Sequence, residues 1–342
     1  MELENPTIQA WTEVCRQLRM ILEKPESSEN TPAWMDVVRR AEASNSWFTQ
    51  EQIRIALSGL IELLRLENLI LFSEKYSKSQ TIVDRTIGVI MAGNIPAAGF
   101  HDLLCVSLAG HKLSAKLSST DQHLLPFIVG LLHQANPAIA EKIRFVDNLK
   151  DVDAVIATGS DNSARYFDYY FGKKPHIFRR NRNSIAILTG DENEYDLILL
   201  GKDIFTYFGL GCRSVSKLFV PKGYSFDMFF ESMLKFDHLL QHARYMNNHD
   251  YQQAIYLMNN EPFLTNNFLI VKEDSRLSSP AGVLYYETYE NETELKQKTD
   301  LLKEKLQCVI SKHGDLKPGQ SQTPGIFDFP DGVDTMDFLV SL

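Results

Sequence analysis

From Arg85 onward short apolar runs alternate with helical stretches, and this alternation constrains the fold more than any other feature of the chain. The runs at 87–92, 113–117, 143–146, 154–158 and 177–178 read as strands, with helices between them at 97–108, 122–134 and 163–171. Parallel strands need such crossovers, so the expected class is α/β with largely parallel sheets. A second block starts near Ser184, with a strand at 185–188, a helix at 196–208, a strand at 215–220 and further strands at 268–272, 283–286 and 308–311. The first 80 residues differ. Ile8, Trp11, Cys15, Leu18 and Leu22 recur at spacings of three and four, Thr31-Pro32 reads as a cap with proline in the first turn, and Thr49 with Gln52 reads as a capping box. The expected organisation is a helical amino-terminal segment plus an α/β domain over 1–183, a second α/β domain over 184–313, and a tail over 314–342 rich in Gly, Pro and Asp, with oligomerisation or a return to the first α/β domain as its two open roles. No internal repeat is visible.

Charge narrows the function classes. With 35 basic and 44 acidic residues in 342, the formal net charge is −9. A dedicated nucleic-acid binder, which must neutralise phosphates, is not expected. The most apolar long stretch, 87–109, carries Asn94, Pro96, His101 and Asp102, so it reads as buried structure and no membrane insertion is expected. The opening Met-Glu-Leu-Glu-Asn lacks the basic and apolar regions of a secretion signal, which makes the cytoplasm the expected location. Cys15, Cys105, Cys212 and Cys308 lie far apart with no C-x-x-C pair, so four free thiols and no metal knuckle are expected.

Cys212 sits in Gly209-Leu210-Gly211-Cys212-Arg213-Ser214, a glycine-flanked turn between helix and strand, whereas Cys15, Cys105 and Cys308 lie in apolar segments and read as core. A nucleophile and a buried thiol are both open readings for Cys212. Asn94 lies in the strand-ending turn Gly93-Asn94-Ile95-Pro96, where a neutral amide could donate to a developing oxyanion or merely cap the next helix. Lys116, among Ser114, Ser118 and Ser119, ends a strand. Gly159-Ser160-Asp161 opens a helix whose N–H groups suit a pyrophosphate. A surface lysine and an ordinary cap are the plain readings of these two, and no G-x-G-x-x-G is present. His238 and His242, with His249 beyond, are spaced i, i+4 on an expected helix but lack the glutamate of the hydrolytic zinc motif, so they read as a helix face. Asn291-Glu292-Thr293 matches a glycosylation sequon that a chain without a secretion signal would not use.

In order and spacing, Gly93-Asn94-Ile95-Pro96, Ser114-Ala115-Lys116-Leu117-Ser118-Ser119, Ala157-Thr158-Gly159-Ser160 and Gly209-Leu210-Gly211-Cys212 before the strand ending at Pro221 resemble the aldehyde dehydrogenase superfamily. Within it the chain looks most like acyl-CoA reductases of the LuxC type, through Arg182-Asn183-Ser184-Ile185-Ala186 and Pro324-Gly-Ile-Phe-Asp-Phe-Pro-Asp-Gly-Val-Asp334-Thr335. The similarity runs from about residue 85 to the end. It implies two Rossmann-like domains, the first nucleotide-binding and the second catalytic, a short oligomerisation element, a homo-oligomer such as a dimer, and an active site between the large domains. It further implies Cys212 as nucleophile, Asn94 as oxyanion donor, Lys116 as ribose contact, Gly159 and Ser160 as the pyrophosphate loop, and Gly93 and Pro96 also at the cofactor, which would be NADPH, with NADH open. The water-activating glutamate of hydrolytic members should fall near Arg179-Arg180-Asn181, which is basic here, while Asp191, Glu192 and Glu194 read as a solvated loop. The expected activity is therefore reduction of an acyl-CoA, of fatty acyl type, to aldehyde through an acyl-cysteine. An aldehyde dehydrogenase forming acid, and a catalytically silent binding protein of the same fold, are the alternatives.

Overall fold

The computed structural model describes residues 5–76 and 84–342. The expected helical character of 1–4 and 77–80, and the amino-terminal sequence read for a signal, lie outside these residues. The chain divides into two compact units, 1–181 with 325–342 and 182–324.

The first unit opens with four helices, α1 (Pro6–Glu23), α2 (Thr31–Ser44), α3 (Gln50–Leu63) and α4 (Leu66–Tyr76). The α1 face runs through Ile8, Trp11, Cys15 and Leu18, as the spacing predicts, and adds Val14 and Ile21. Trp11 donates through Nε1 to Ser107 Oγ at 2.9 Å, which satisfies its buried N–H. Thr49 caps α3 by accepting from the Gln52 N–H at 3.3 Å. The Thr31 cap is corrected: Asn30 holds the cap position, and Thr31 already belongs to the first turn with Pro32.

Next come β1 (Thr86–Ile90), α5 (Phe100–Leu108), β2 (Lys112–Lys116), α6 (Leu124–Ala135), α7 (Pro137–Ala140), β3 (Ile143–Phe145), β4 (Ala154–Thr158), α8 (Asp161–Phe171) and β5 (His176–Arg179). The sheet is parallel in the order β3-β2-β1-β4-β5. In β4 the residues from Ala154 to Ala157 are all buried, as expected of a strand covered on both faces. The chain reverses its winding between β1 and β4, and the carboxyl ends flanking such a switch are where open α/β sheets hold ligands.

The second unit holds β6 (Asn183–Ile187), α9 (Glu194–Phe205), β7 (Val215–Pro221), α10 (Asp227–Met233), α11 (Ala243–Met258), β8 (Leu264–Thr265), β9 (Ile270–Glu273), β10 (Val283–Tyr289), α12 (Glu292–Leu302) and β11 (Leu306–Ser311). Its sheet runs β11-β6-β7-β10-β9-β8 and is parallel except at β8. The chain then returns to the first unit with α13 (Thr335–Val340). The class is thus mixed α/β, built on two Rossmann-like parallel sheets. No helix among the described residues is long and apolar enough to cross a membrane.

Three sequence expectations fail locally. The helix expected over 196–208 ends at Phe205, because Tyr207, Phe208 and Gly209 turn left-handed, with φ of 54°, 56° and 76°. Phe205, the last residue of α9, is buried from the helix, whereas Tyr207 and Phe208 are buried through that turn and not through helical spacing. His238 and His242 do not share an α-helix. Residues 234–241 form a 3-10 stretch broken at Phe236, and His242 caps α11, its Nδ1 accepting from the Tyr245 N–H at 3.1 Å. The helix expected from residue 97 starts only at Phe100, since Ala97 is itself left-handed at φ 56°.

Candidate functional site

Three of the singled-out segments meet on one edge of the first sheet. Ile90 pairs in register with Lys116 on one side and with Ala157 on the other, so the ends of β1, β2 and β4 form one row. Neighbouring strands are about 4.8 Å apart. The Asn94 turn leaves β1, Lys116 is the last residue of β2, and Gly159-Ser160 follows β4, so Asn94, Lys116 and Ser160, all exposed, share the edge flanking the switch.

The Asn94 turn is held from the β2-to-α6 loop. Thr120 Oγ1 donates to Gly93 O at 2.8 Å, and Asp121 Oδ2 accepts from the Ala97 N–H at 2.7 Å. A Cβ on Gly93 would collide with the side chains of Ser118 and Thr120, so glycine there permits the close approach. Asn94 is not the cap of α5, because Gly99 occupies that position. Asp121 is buried, its Oδ1 has no hydrogen-bond partner, and burial pushes its carboxyl up to about 6. Sequence reasoning passed over both Thr120 and Asp121; the run Ser118-Ser119-Thr120-Asp121 before a helix was the available signal.

Ser160 caps α8, its Oγ accepting from the Ser163 N–H at 3.3 Å. A Cβ at Gly159 would come within 2.8 Å of Ser163 Cβ and 3.0 Å of the Phe167 ring, so the strand-to-helix turn requires glycine. A tight turn without side-chain bulk, an exposed helix start and an exposed lysine on the same edge fit a dinucleotide: Gly159 and Ser160 could hold its pyrophosphate and Lys116 its ribose.

In the second unit Cys212 is exposed, whereas Cys15, Cys105 and Cys308 are buried. Of the two readings left open by the sequence, the buried thiol is therefore removed. Cys212 occupies the first central position of a β-turn closed by the Ser214 N–H to Gly211 O at 3.0 Å. Ser184 Oγ donates to Cys212 O at 2.9 Å. Two consecutive left-handed aromatics precede this turn, a conformation costing on the order of 1–2 kcal/mol per residue and offset here by burial of both rings. Phe208 also stacks on the His242 ring at 4.1 Å.

Two of the charged residues between the two blocks, Arg179 and Glu192, are committed to other partners. Arg179 is buried, pairing with Asp102 at 2.5 Å and donating to Thr335 Oγ1 at 2.8 Å. Glu192 is not solvated as its loop suggested. It is buried and accepts from the Thr189 and Gly190 N–H groups at 2.8 and 3.0 Å, closing its own turn. Asp191 and Glu194 are exposed. Among the described residues no cluster of three metal-ligating side chains occurs.

No family model matches the sequence, and no curated protein matches it either. Solved structures do share the fold. A structure titled as a putative aldehyde dehydrogenase from Burkholderia cenocepacia superposes with a TM-score of 0.64 at 11% identity, over 89% of this chain and 73% of that one. Aldehyde dehydrogenase 21 from Physcomitrella patens, in complex with the reaction product succinate, gives 0.65 at 11% identity over 98% and 84%. The NAD+ complex of aldehyde dehydrogenase from Bacillus cereus gives 0.62 at 11% identity over 89% and 71%. The fold of this chain is that of the aldehyde dehydrogenases.

Proposed function

We propose that the protein is a nicotinamide-dependent oxidoreductase that reduces an acyl-CoA thioester to aldehyde through an acyl-enzyme on Cys212, in the manner of LuxC-type acyl-CoA reductases. The observation that carries this reading is the single exposed thiol, held in a clamped, glycine-flanked turn, while the three other thiols are core. In the proposed reaction the Cys212 sulfur bonds to the thioester carbonyl carbon, and the carbon–sulfur bond to coenzyme A breaks as its thiolate leaves. The Asn94 amide and the Cys212 N–H donate to the oxyanion formed in that step. When bound, the reduced nicotinamide supplies hydride to the acyl carbon. Cys212 is then released as thiolate when the carbonyl reforms as aldehyde.

Two features favour reduction over hydrolysis and NADPH over NADH. The position near Arg179-Arg180-Asn181 where hydrolytic members would carry a water-activating glutamate is basic, Arg179 is held by Asp102, and Glu192 closes its own turn, which favours acceptors other than water for the acyl-cysteine. NAD sites place an acid on the ribose 2′-OH after the second strand, whereas here the end of β2 offers Lys116 and the loop after it hydroxyls, its acid Asp121 being buried against Ala97. A 2′-phosphate is accommodated on that account; Gly93 and Pro96 stay assigned to the same cofactor edge. Homo-oligomeric assembly and a cytoplasmic location belong to the same proposal.

The test is reduction of acyl-CoA thioesters of graded chain length with NADPH and with NADH, in wild type and Cys212→Ala. Aldehyde should form with release of coenzyme A, at least 10³-fold faster in wild type. Formation of acid from aldehyde without coenzyme A would instead establish the aldehyde dehydrogenase reading.

A further inference from the structure

Both peptide planes flanking Cys212 are fixed by hydrogen bonds. The plane before it is set by Gly211 O, which accepts from the Ser214 N–H at 3.0 Å. The plane after it is set by Cys212 O, which accepts from Ser184 Oγ at 2.9 Å. Ser184 itself is fully buried at the start of β6, where the neighbouring Ser216 Oγ donates to its carbonyl at 3.4 Å. The hydroxyl is thus presented from a buried position within the sheet.

A second set of contacts reaches the turn from the opposite side in sequence. Arg213 Nη1 donates to Ser321 O and reaches Cys308 Sγ, both at 3.4 Å. Ser321 is in turn seized by Asp203, whose Oδ1 accepts from the Ser321 N–H at 3.0 Å and from its hydroxyl at 2.7 Å, while Oδ2 accepts from the Gly319 N–H at 2.6 Å. Gln322 Nε2 donates to Asp203 O at 3.3 Å. Asp203 is fully buried, and a buried carboxylate is costly unless donors surround it. Three donors from one short segment do so, and the same segment meets the Cys212 turn through Arg213 and Gln322, whose Nε2 donates to Ser214 Oγ at 3.5 Å. A fold needing only to close this loop could do so with apolar packing; a buried acid fixes one geometry.

We infer that Ser184 and the Asp203–Ser321–Arg213 chain are positioning residues for Cys212. They set the backbone of the turn, and through it the directions of the thiol and of the Cys212 N–H. The inference rests on the reading of Cys212 as nucleophile. Its energetic logic is orientation: misplacement of a reacting group by about 1 Å is enough to cost 10²-fold in rate.

The experiment compares wild type, Ser184→Ala, Ser184→Thr and Arg213→Lys in two measurements. One is the single-turnover release of coenzyme A from an acyl-CoA at saturating and subsaturating concentration. The other is the pH profile of Cys212 alkylation by iodoacetamide. Ser184→Ala is expected to slow release at least 10-fold at saturation, with half-saturation within twofold of wild type, and to change the alkylation profile. Ser184→Thr should restore release to within about threefold, because it keeps the hydroxyl. Arg213→Lys, at a half-buried position and tolerable for folding, should slow release about 10-fold. Wild-type release and alkylation in both Ser184→Ala and Arg213→Lys would overturn the inference. If wild type itself releases no coenzyme A, the thioester reading falls, and the alkylation profiles alone decide whether the clamp governs the thiol.

Discussion

Asp121 illustrates how much a single side chain can carry without touching the proposed chemistry. Its carboxylate holds the Ala97 N–H of the Asn94 turn, yet its other oxygen is buried without a partner, and burial pushes the group from 3.8 up to about 6. A raised carboxyl pKa means the folded state binds the proton more tightly than the unfolded one, so stability falls as pH rises through about 4 to 6. The penalty at neutral pH is on the order of 3 kcal/mol. Asp121→Asn keeps an acceptor for Ala97 and removes the ionisation. Urea denaturation at pH 4.5 and 7.5 should show the wild type losing stability across this interval relative to the variant; parallel pH dependences would contradict it. At this scale the sequence was informative where glycine marked a turn, as at Gly93, Gly159 and Gly211. It placed Ser184 in a motif of the resemblance but gave no sign of its contact with Cys212, which comes only with the pairing of β6 with β7.

Among the elements, α13 was the least legible. Its six residues are too short to display a helical period, and the Gly- and Pro-rich stretch before it reads as tail. Its signal was the cap: Asp334 accepts from the Met336 and Asp337 N–H groups, both at 3.0 Å, and from Tyr76 OH at 2.6 Å. Thr335 then meets Arg179, so the helix joins the Arg179–Asp102 pair, which links β5 with α5. Breaking that pair leaves a buried guanidinium without its directly bonded carboxylate. Asp102→Ala should therefore lose about 3–5 kcal/mol, and the double variant Asp102→Leu with Arg179→Met should recover most of it. Denaturation curves decide: a loss under about 1 kcal/mol in the single variant would show that the pair is not needed. Strands were easier to read, because a strand buried on both faces is a short apolar run, as in Ala154–Thr158. Helix ends were harder, since left-handed residues such as Ala97, Tyr207 and Phe208 carry no mark in an apolar sequence.

For the whole molecule, the order of turns along the chain proved more telling than any one of them. A glycine–asparagine turn, a strand-ending lysine, a glycine–serine helix start and a glycine-flanked cysteine together pointed to a fold that solved structures share at only 11% identity. Likeness at that level concerns architecture, so the chemistry rests on the thiol itself. The most direct measurement is to mix the protein with an acyl-CoA in the absence of reductant, quench, and map the acyl group by peptide mass spectrometry. The account predicts one acyl adduct, on Cys212, that disappears with formation of aldehyde when NADPH is added before the quench. An unmodified Cys212, or an adduct that NADPH leaves in place, would contradict it.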